Sequence, residues 1–479
     1  MALDLSFNNL ISGKSRRWMQ QPASQTRSTN KTFVQAFVST CLLFCCLGLP
    51  SPGFSQQISV GSEPRVARVQ MRLSLNDEAI DVIEKGDLLT VVEDRENGFL
   101  VQTASGTKGL VAKVNAVSLA ESTDIYTDLI AKNEKEGRLY TLRAGAWWAA
   151  GKSAEAQADF DSAITLGYTA AHAYMSRGLF WAASRDYEKA IVDYTKAIEK
   201  EPSDVAALVN RAAAYLASNQ LEKSEQDYST AISLQPKSPL LYQQRAVTRK
   251  AMAKIDDAIG DFSRTIEIYG PDKPASIPAW MSRGFLHFQT SKHQQAVDDF
   301  GHVIQLNPKA TVAYNNRGYN LQQLGKPVDA LADFDKAIEL EPKYALAHQN
   351  RAWLLATTEN ESLRDAVAAV ASASKACELN DYQDVSDMAA LAAAHSVQGE
   401  FDKAVGLQEK IVERAPPTQK KFAEDILKLY IDKKPFDPKV AKQLQNDIAA
   451  SAPVLDPSSA PSQSPLPPSK VEPPKKRPL

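Results

Sequence analysis

Two charged residue types recur along this 479-residue chain at a near-constant interval. Between Arg143 and Arg351, an arginine followed by Gly or Ala occurs seven times, and five of the six intervals are equal, at about 34 residues. Sixteen residues after each of the first six arginines stands an aspartate. A guanidinium and a carboxylate that recur together favour a repeated structural ion pair, and a ligand role for the arginines is the alternative. The predicted pairs include Arg177 with Asp193, Arg211 with Asp227, and Arg317 with Asp333.

No arrangement of residues typical of catalysis accompanies these charges. The chain contains no glycine-rich phosphate loop, no nucleophile elbow and no paired His-Glu motif. His287, His293 and His302 fall within one repeat but on different faces of its predicted helices, which favours solvated or packed histidines over a metal site. We therefore predict no enzymatic activity, no catalytic residue, no metal and no cofactor.

The elements that carry the charges are predicted to be helix pairs, because a period of about 34 residues is typical of stacked helical repeats. In the unit from Ala171 to Pro202, apolar or small residues at positions 4, 8 and 11 form one face of a first helix. Those at positions 20, 24 and 27 form one face of a second helix, which Pro202 ends. These residues are Tyr174, Gly178, Trp181, Ala190, Tyr194 and Ala197.

This pattern resembles the tetratricopeptide repeat. The resemblance implies a mainly α fold, a right-handed solenoid of about eight helix pairs over residues 137–418. Capping helices are expected at 122–136 and 419–434. The units are predicted to begin at Gly137, Ala171, Val205, Pro239, Ile277, Thr311, Ala345 and Val385. Two departures, a four-residue extension with Gly270 in the fourth unit and an insertion around 358–362 in the seventh, are expected to be bulges at turns.

The resemblance also implies a binding groove, because positions 2, 5, 6, 9, 12 and 13 of the first helices line the concave surface in this family. Position 6 is rich in amides that bond both N–H and C=O of an extended peptide, and positions 9 and 12 carry aromatic residues late in the array. The predicted groove residues are Asn210, Gln244, Phe285, Phe288, Asn316, Tyr319, Asn350 and Trp353. For Trp353, packing between repeats is an equal alternative.

Residues 62–120 have a different pattern, with short β-rich segments separated by Lys85-Gly86, Asn97-Gly98 and Ser105-Gly106. Closely spaced strands with Gly turns favour a small barrel, and the arrangement resembles a bacterial SH3 domain. Phe99 and Leu110 occupy positions where that family often has Trp, which puts an aromatic peptide groove in doubt.

The two ends of the chain have the composition of non-globular segments. Residues 1–55 combine basic residues with an uncharged apolar stretch, which predicts a secretory signal, with an uncleaved membrane anchor as the alternative. The tail at 435–479 becomes rich in Pro and Ser and is predicted to be disordered. Beyond residue 55, the chain holds 50 basic and 56 acidic residues, a net charge of −6, which argues against nucleic acid as a partner.

Two functions remain open at this stage. The first is a non-catalytic interaction scaffold, exported to the bacterial periplasm or envelope and binding a protein or peptide in the groove. The second is an adaptor whose SH3-like domain docks to peptidoglycan. An enzyme is a third alternative, but the stretch 418–479 that follows the repeats is short, and its Pro and Ser content does not suit a catalytic domain.

Overall fold

The computed structural model describes residues 64–444 except 76, 77 and 442. The described chain divides into two compact units, which meet in the sequence at Leu340 and Glu341. The predicted signal or anchor segment and the predicted tail beyond residue 444 lie outside the described residues. No described helix is both long enough and apolar enough to cross a membrane.

The first unit begins with a small antiparallel β domain. Its core consists of side chains such as Leu89, Phe99 and Val101, which are at most 6 % exposed. A five-stranded sheet has the order β6-β5-β4-β1-β7, and β2 and β3 form a separate hairpin. The strands are β1 (Arg65–Ala67), β2 (Met71–Leu75), β3 (Glu78–Ile83), β4 (Leu88–Arg95), β5 (Gly98–Gln102), β6 (Lys108–Val111) and β7 (Ala116–Ser118).

The β domain is joined to the helices by a shared core and a glycine turn. Gly86 has a φ of +92°, and a Cβ added there would lie 2.6 Å from Leu129 Cδ1. The Tyr126 hydroxyl donates a hydrogen bond to the Gly86 carbonyl at 3.0 Å, in a site where Tyr126 is fully buried. The glycine is therefore needed both for its backbone conformation and for the close approach of helix α1 (Thr123–Lys132).

Twelve described helices follow in this unit as six antiparallel pairs. Every first helix begins at the residue where the sequence period begins, so the predicted helix-pair architecture is confirmed. The helices are α2 (Gly137–Ala149), α3 (Ser153–Thr165), α4 (Ala171–Ala183), α5 (Tyr187–Lys200), α6 (Val205–Ala217), α7 (Leu221–Leu234), α8 (Pro239–Ala251), α9 (Ile255–Tyr269), α10 (Ile277–Gln289), α11 (His293–Leu306), α12 (Thr311–Gln323) and α13 (Pro327–Leu340).

The two helices of a pair touch where position 8 meets position 24. Position 8 is Gly or Ala, and position 24 is a Phe or Tyr that is at most 2 % exposed in all six pairs. A Cβ added at Gly178 would lie 2.6 Å from the Tyr194 ring, and one added at Gly318 would lie 2.9 Å from the Phe334 ring. Small residues therefore recur at position 8 because the aromatic ring of the second helix fills the adjacent space.

The second unit contains five further described helices. They are α14 (Ala345–Thr357), α15 (Ala366–Leu379), α16 (Val385–Gln398), α17 (Phe401–Arg414) and α18 (Pro417–Ile431). Cys377 is buried in α15, and burial raises the pKa of its thiol to about 12, so it behaves as a packing residue. Packing continues past the predicted end of the capping helix at 434, because Phe436 is 8 % exposed and Ala441 is 2 % exposed. The predicted tail thus begins with residues that belong to this core.

Candidate functional site: the ion pairs and the first-helix face

The recurring arginines and aspartates form a series of buried, bidentate ion pairs. In each of the six helix pairs of the first unit, the arginine Nε and Nη2 donate to the two carboxylate oxygens at 2.6–3.0 Å. The aspartate side chains are only 2–8 % exposed. The pairs are Arg143–Asp159, Arg177–Asp193, Arg211–Asp227, Arg245–Asp261, Arg283–Asp299 and Arg317–Asp333.

A third contact, which sequence reasoning missed, joins each pair to the preceding repeat. In five of the pairs, Nη1 of the arginine lies 2.8–3.2 Å from a side-chain oxygen at position 25 of the preceding second helix or of α1. The acceptors are Thr127, Asp161, Thr195, Ser229 and Ser263. These polar residues recur in the sequence at the same period as the arginines, and this recurrence could have predicted the contact. Before Arg317 the same position holds Gly301, and Arg317 is the most exposed of the six arginines, at 27 %.

The ion pairs keep their charges in a partly dry environment. The hydrogen bonds from Arg177 to Asp193 raise the pKa of the Arg177 guanidinium. Burial raises the pKa of the Asp193 carboxyl, against the stabilising effect of Arg177 on the carboxylate. Asp333 behaves in the same way beside Arg317. A buried carboxylate in this position depends on its arginine for charge compensation.

One histidine contacts this network, and the three histidines of the fifth repeat have separate partners. His287 Nδ1 lies 3.0 Å from Asp299 Oδ2, and His293 Nδ1 lies 2.8 Å from Asn320 Oδ1. The His302 ring is stacked on Trp280 with centroids 4.2 Å apart. Within the described ranges, no group of three or more His, Cys, Asp or Glu side chains is arranged to hold a metal ion.

We define the first-helix face as positions 6, 9 and 12 of the first helices, where the groove residues were predicted. In the first unit, Asn210, Gln244 and Asn316 are half-buried at position 6 of α6, α8 and α12. Their side-chain amides form no hydrogen bond to any residue that the structure describes. They therefore present both donors and acceptors to an incoming backbone.

Three aromatic side chains lie on the same face in α10 and α12. Phe288 and Tyr319 form an edge-on contact with ring centroids 5.4 Å apart. Phe285 packs edge-on against buried Phe300 at 5.5 Å. All three remain half-buried, so each exposes part of its ring while its inner edge is held by a neighbour. Rigid aromatics with one exposed surface are typical anchors for apolar side chains of a partner.

The two predicted groove residues of the second unit have a different environment. Asn350 is 3 % exposed, so its amide is not available to a ligand. Trp353 is half-buried and packs against the core of that unit, with its ring 5.3 Å from Phe436 in an edge-on contact. The structure therefore removes Asn350 from the exposed candidates, whereas part of the half-buried Trp353 is covered by a segment outside the repeats.

Comparisons with known proteins find family models that match parts of this chain. Three sequence models described as tetratricopeptide repeat match residues 141–198, 193–226 and 311–344. No match was found among curated proteins.

Several solved structures share some likeness with the chain. A structure of MamA is 21 % identical over 36 % of this chain and 93 % of its own, with a TM-score of 0.34. YrrB, described as a TPR protein with an unusual peptide-binding site, is 20 % identical over 39 % of this chain and 95 % of its own, with a TM-score of 0.34. The C-terminal part of a TPR repeat-containing protein from Cytophaga hutchinsonii is 18 % identical over 51 % of this chain and 96 % of its own, with a TM-score of 0.45.

These structural similarities are too low to transfer a ligand. The family-model matches and the helix pairs are independent of these similarities. Residues 141–226 and 311–344, which match models of the tetratricopeptide repeat, lie within the helix pairs.

Proposed function

We propose that this protein is a non-catalytic scaffold that binds an extended segment of a partner protein along the first-helix face of its first unit. This proposal is supported by the combination of amides without a hydrogen-bond partner among the described residues, at position 6, with half-buried aromatic side chains at positions 9 and 12. Asn210, Gln244 and Asn316 would bond the partner's backbone, while Phe285, Phe288 and Tyr319 would contact its apolar side chains. The arginines and aspartates hold the helices in place and do not touch the ligand.

A site-specific cross-link tests the assignment in cells. A photoreactive phenylalanine analogue at position 319 should trap a partner protein, since Tyr319 lies among the proposed contacts. Val192 and Val328, each 59 % exposed, are matched control positions away from positions 6, 9 and 12. Adducts from 319 that are absent from both controls are the expected result. Equal trapping at all three positions, or trapping at the controls alone, would show that another surface binds the partner.

We also propose that the protein is exported to the periplasm or cell envelope, with residues 1–55 as a cleaved signal or a membrane anchor. The support is the order of basic residues, apolar stretch and small residues in that segment. N-terminal sequencing of the protein from fractionated cells tests this. A start near residue 56 in the periplasmic fraction is expected for cleavage, whereas a cytosolic protein with an intact N-terminus would exclude export.

Envelope docking through the β domain is the weaker proposal. Grooves that bind proline-rich peptides are lined by aromatic rings, and Phe99 is the single aromatic residue between positions 62 and 120. Phe99 is 6 % exposed and belongs to the β-domain core, beneath Arg65 and Lys113. Any peptidoglycan contact would therefore use polar groups. A sedimentation assay of the full chain with purified peptidoglycan tests it, and a chain that stays in the supernatant contradicts it.

A further inference from the structure

The second unit contains a stretch of chain that folds back on its own helices. After α18 the backbone turns at Lys433, which has a φ of 54°, and residues 434–437 belong to no helix or strand. A short helical stretch begins at residue 438. We name residues 434–441 the return segment. It contacts α14 through Trp353 and α16 through Ser396, both on first helices of their pairs.

One aromatic side chain anchors the return segment. The Phe436 ring packs edge-on against Trp353 and lies among Phe422, Ile426 and Tyr430 of α18. The backbone N–H of Phe436 donates to the Ser396 hydroxyl at 2.9 Å in a buried site. A ring in an apolar pocket, combined with a main-chain hydrogen bond, is how an extended peptide is usually held in a groove.

Two further contacts of the return segment differ in kind. Ala441 is 2 % exposed and packs in the same core cluster as Phe436. Lys439 pairs with Glu359 at 2.9 Å, but their side chains are 77 % and 80 % exposed, so the pair is weak. Glu359 belongs to the insertion of the seventh repeat, and this loop thus faces the return segment. A cavity of about 20 Å³, large enough for one water molecule, remains beside the Phe436 ring. The segment therefore occupies the pocket without filling it.

We infer that the return segment is an intramolecular ligand, which covers a peptide-binding groove on α14, α16 and α18 until a partner segment displaces it. The return segment itself defines the chemistry of that partner. It has an aromatic residue between a proline and an acidic residue, as in Pro435-Phe436-Asp437-Pro438. The two prolines restrict the backbone of this stretch, so little conformational entropy is lost on binding.

Because the return segment is covalently connected to α18, it occupies the groove in most molecules when no partner is present. A short tether keeps the return segment at an effective concentration in the millimolar range, so an external segment competes at a disadvantage. The apparent affinity for an external peptide falls in proportion to the fraction of open groove. Removing the Phe436 anchor should raise this fraction without changing the groove itself.

Peptide binding in trans tests the inference with the full chain. The probe is a fluorescent peptide with the sequence of residues 432–441, measured by anisotropy. The Phe436→Ala chain should bind it at least about tenfold more tightly than the parent. A probe with Ala in place of Phe should bind the same variant at least about thirtyfold more weakly. Val440→Ala, which truncates a side chain 40 % exposed in the same segment, should behave like the parent.

A second variant keeps the test decisive if Phe436→Ala fails to fold. Lys439→Glu breaks the exposed pair with Glu359, so folding should be preserved while the return segment loosens. The probe keeps its own lysine and should bind this chain a few-fold more tightly than the parent. If neither folded variant binds the probe better than the parent, or if the Ala probe binds equally well, the return segment is a permanent part of the core and the inference is wrong.

Discussion

Arg211 and Asp227 form a two-pronged ion pair across one helix pair, with Nε–Oδ2 at 2.7 Å and Nη2–Oδ1 at 2.8 Å. The remaining nitrogen, Nη1, donates to the Thr195 hydroxyl of the preceding second helix at 3.1 Å. One guanidinium therefore connects three helices, and the same geometry recurs along the first unit. This connection explains why arginine, with its planar set of donors, recurs at position 7.

Breaking this pair should destabilise the first unit through the aspartate that remains. Arg211→Met leaves the Asp227 carboxylate, 8 % exposed, without its counter-charge and should cost about 3 kcal/mol in the free energy of unfolding. A double-mutant cycle with Asp227→Asn should give a coupling of about 0.5–3 kcal/mol. The exposed Lys196–Glu199 pair, at a similar 2.7 Å, is the control and should show no measurable coupling. Equal coupling in the two cycles would contradict the role of burial.

A hydroxyl at position 301, within reach of Arg317 Nη1, should stabilise the sixth repeat, because Gly301 offers no side-chain acceptor there. Gly301 lies at position 25 in α11, and a Cβ added there meets nothing within 4 Å. Gly301→Ala should gain up to about 1 kcal/mol from helix propensity alone. Serine has a lower helix propensity than alanine. In the Gly301→Ser variant, however, the hydroxyl can accept a hydrogen bond from Arg317, which should add about 1–2 kcal/mol to the free energy of unfolding.

The matched control for that gain is Gly260 in α9, which also has open space around it. At Gly260 the Ser variant should be less stable than the Ala variant by about 0.5 kcal/mol, because the recurring arginines contact position 25 and Gly260 lies at position 22. Urea unfolding of the four variants makes the comparison. If the Ser variant is less stable than the Ala variant by the same amount at both positions, the contact from arginine Nη1 to position 25 contributes nothing to stability.

Truncating an aromatic of the first-helix face should weaken partner binding more than folding. Tyr319→Ala removes a half-exposed ring that touches Phe288, and should reduce affinity for the cross-linked partner about thirtyfold. Trp353→Ala should instead destabilise the second unit by about 3 kcal/mol, because its ring packs with Phe436. Isothermal titration and thermal unfolding separate the two effects. Unchanged affinity in a folded Tyr319→Ala protein would exclude this face.

A buried carboxyl in the second unit should make that unit less stable at neutral than at acidic pH. Asp387 is 3 % exposed, and burial, with nearby Asp384, raises its pKa to about 7. The folded state therefore keeps a proton that the unfolded chain has lost above about pH 4. This group's contribution to stability should fall by roughly 1 kcal/mol per pH unit between about pH 4 and 7, then level off.

Asp387→Asn removes this dependence while keeping an acceptor for the Asn380 amide, which donates to Asp387 at 2.5 Å. The variant should gain stability over the parent as pH rises from 4 to 8. Hydrogen exchange of α16 at pH values across this range, corrected for intrinsic rates, measures the difference. A gap between variant and parent that does not change with pH would show that Asp387 is charged throughout.

The repeating part of the fold was accessible from residue spacing alone. The period of the arginines located the starts of the seven first helices from α2 to α14, and small residues at position 8 indicated where an aromatic at position 24 would pack. Local patterns suffice here because each repeat contacts mainly its own partner helix and its immediate neighbours. The contact from Nη1 to position 25 was equally periodic, but it joins two repeats and is visible only when their helices are placed side by side.

The exposure of individual groove positions could not be obtained in this way. Tyr319 and Trp353 occupy the same repeat position, yet Tyr319 presents its ring on the first-helix face while Trp353 packs against Phe436, which lies beyond the last repeat. The period specifies how a side chain is oriented within its own helix pair. Whether that side chain meets solvent depends on chain segments outside the repeat, and a segment such as residues 434–441 carries no periodic signal of where it will pack.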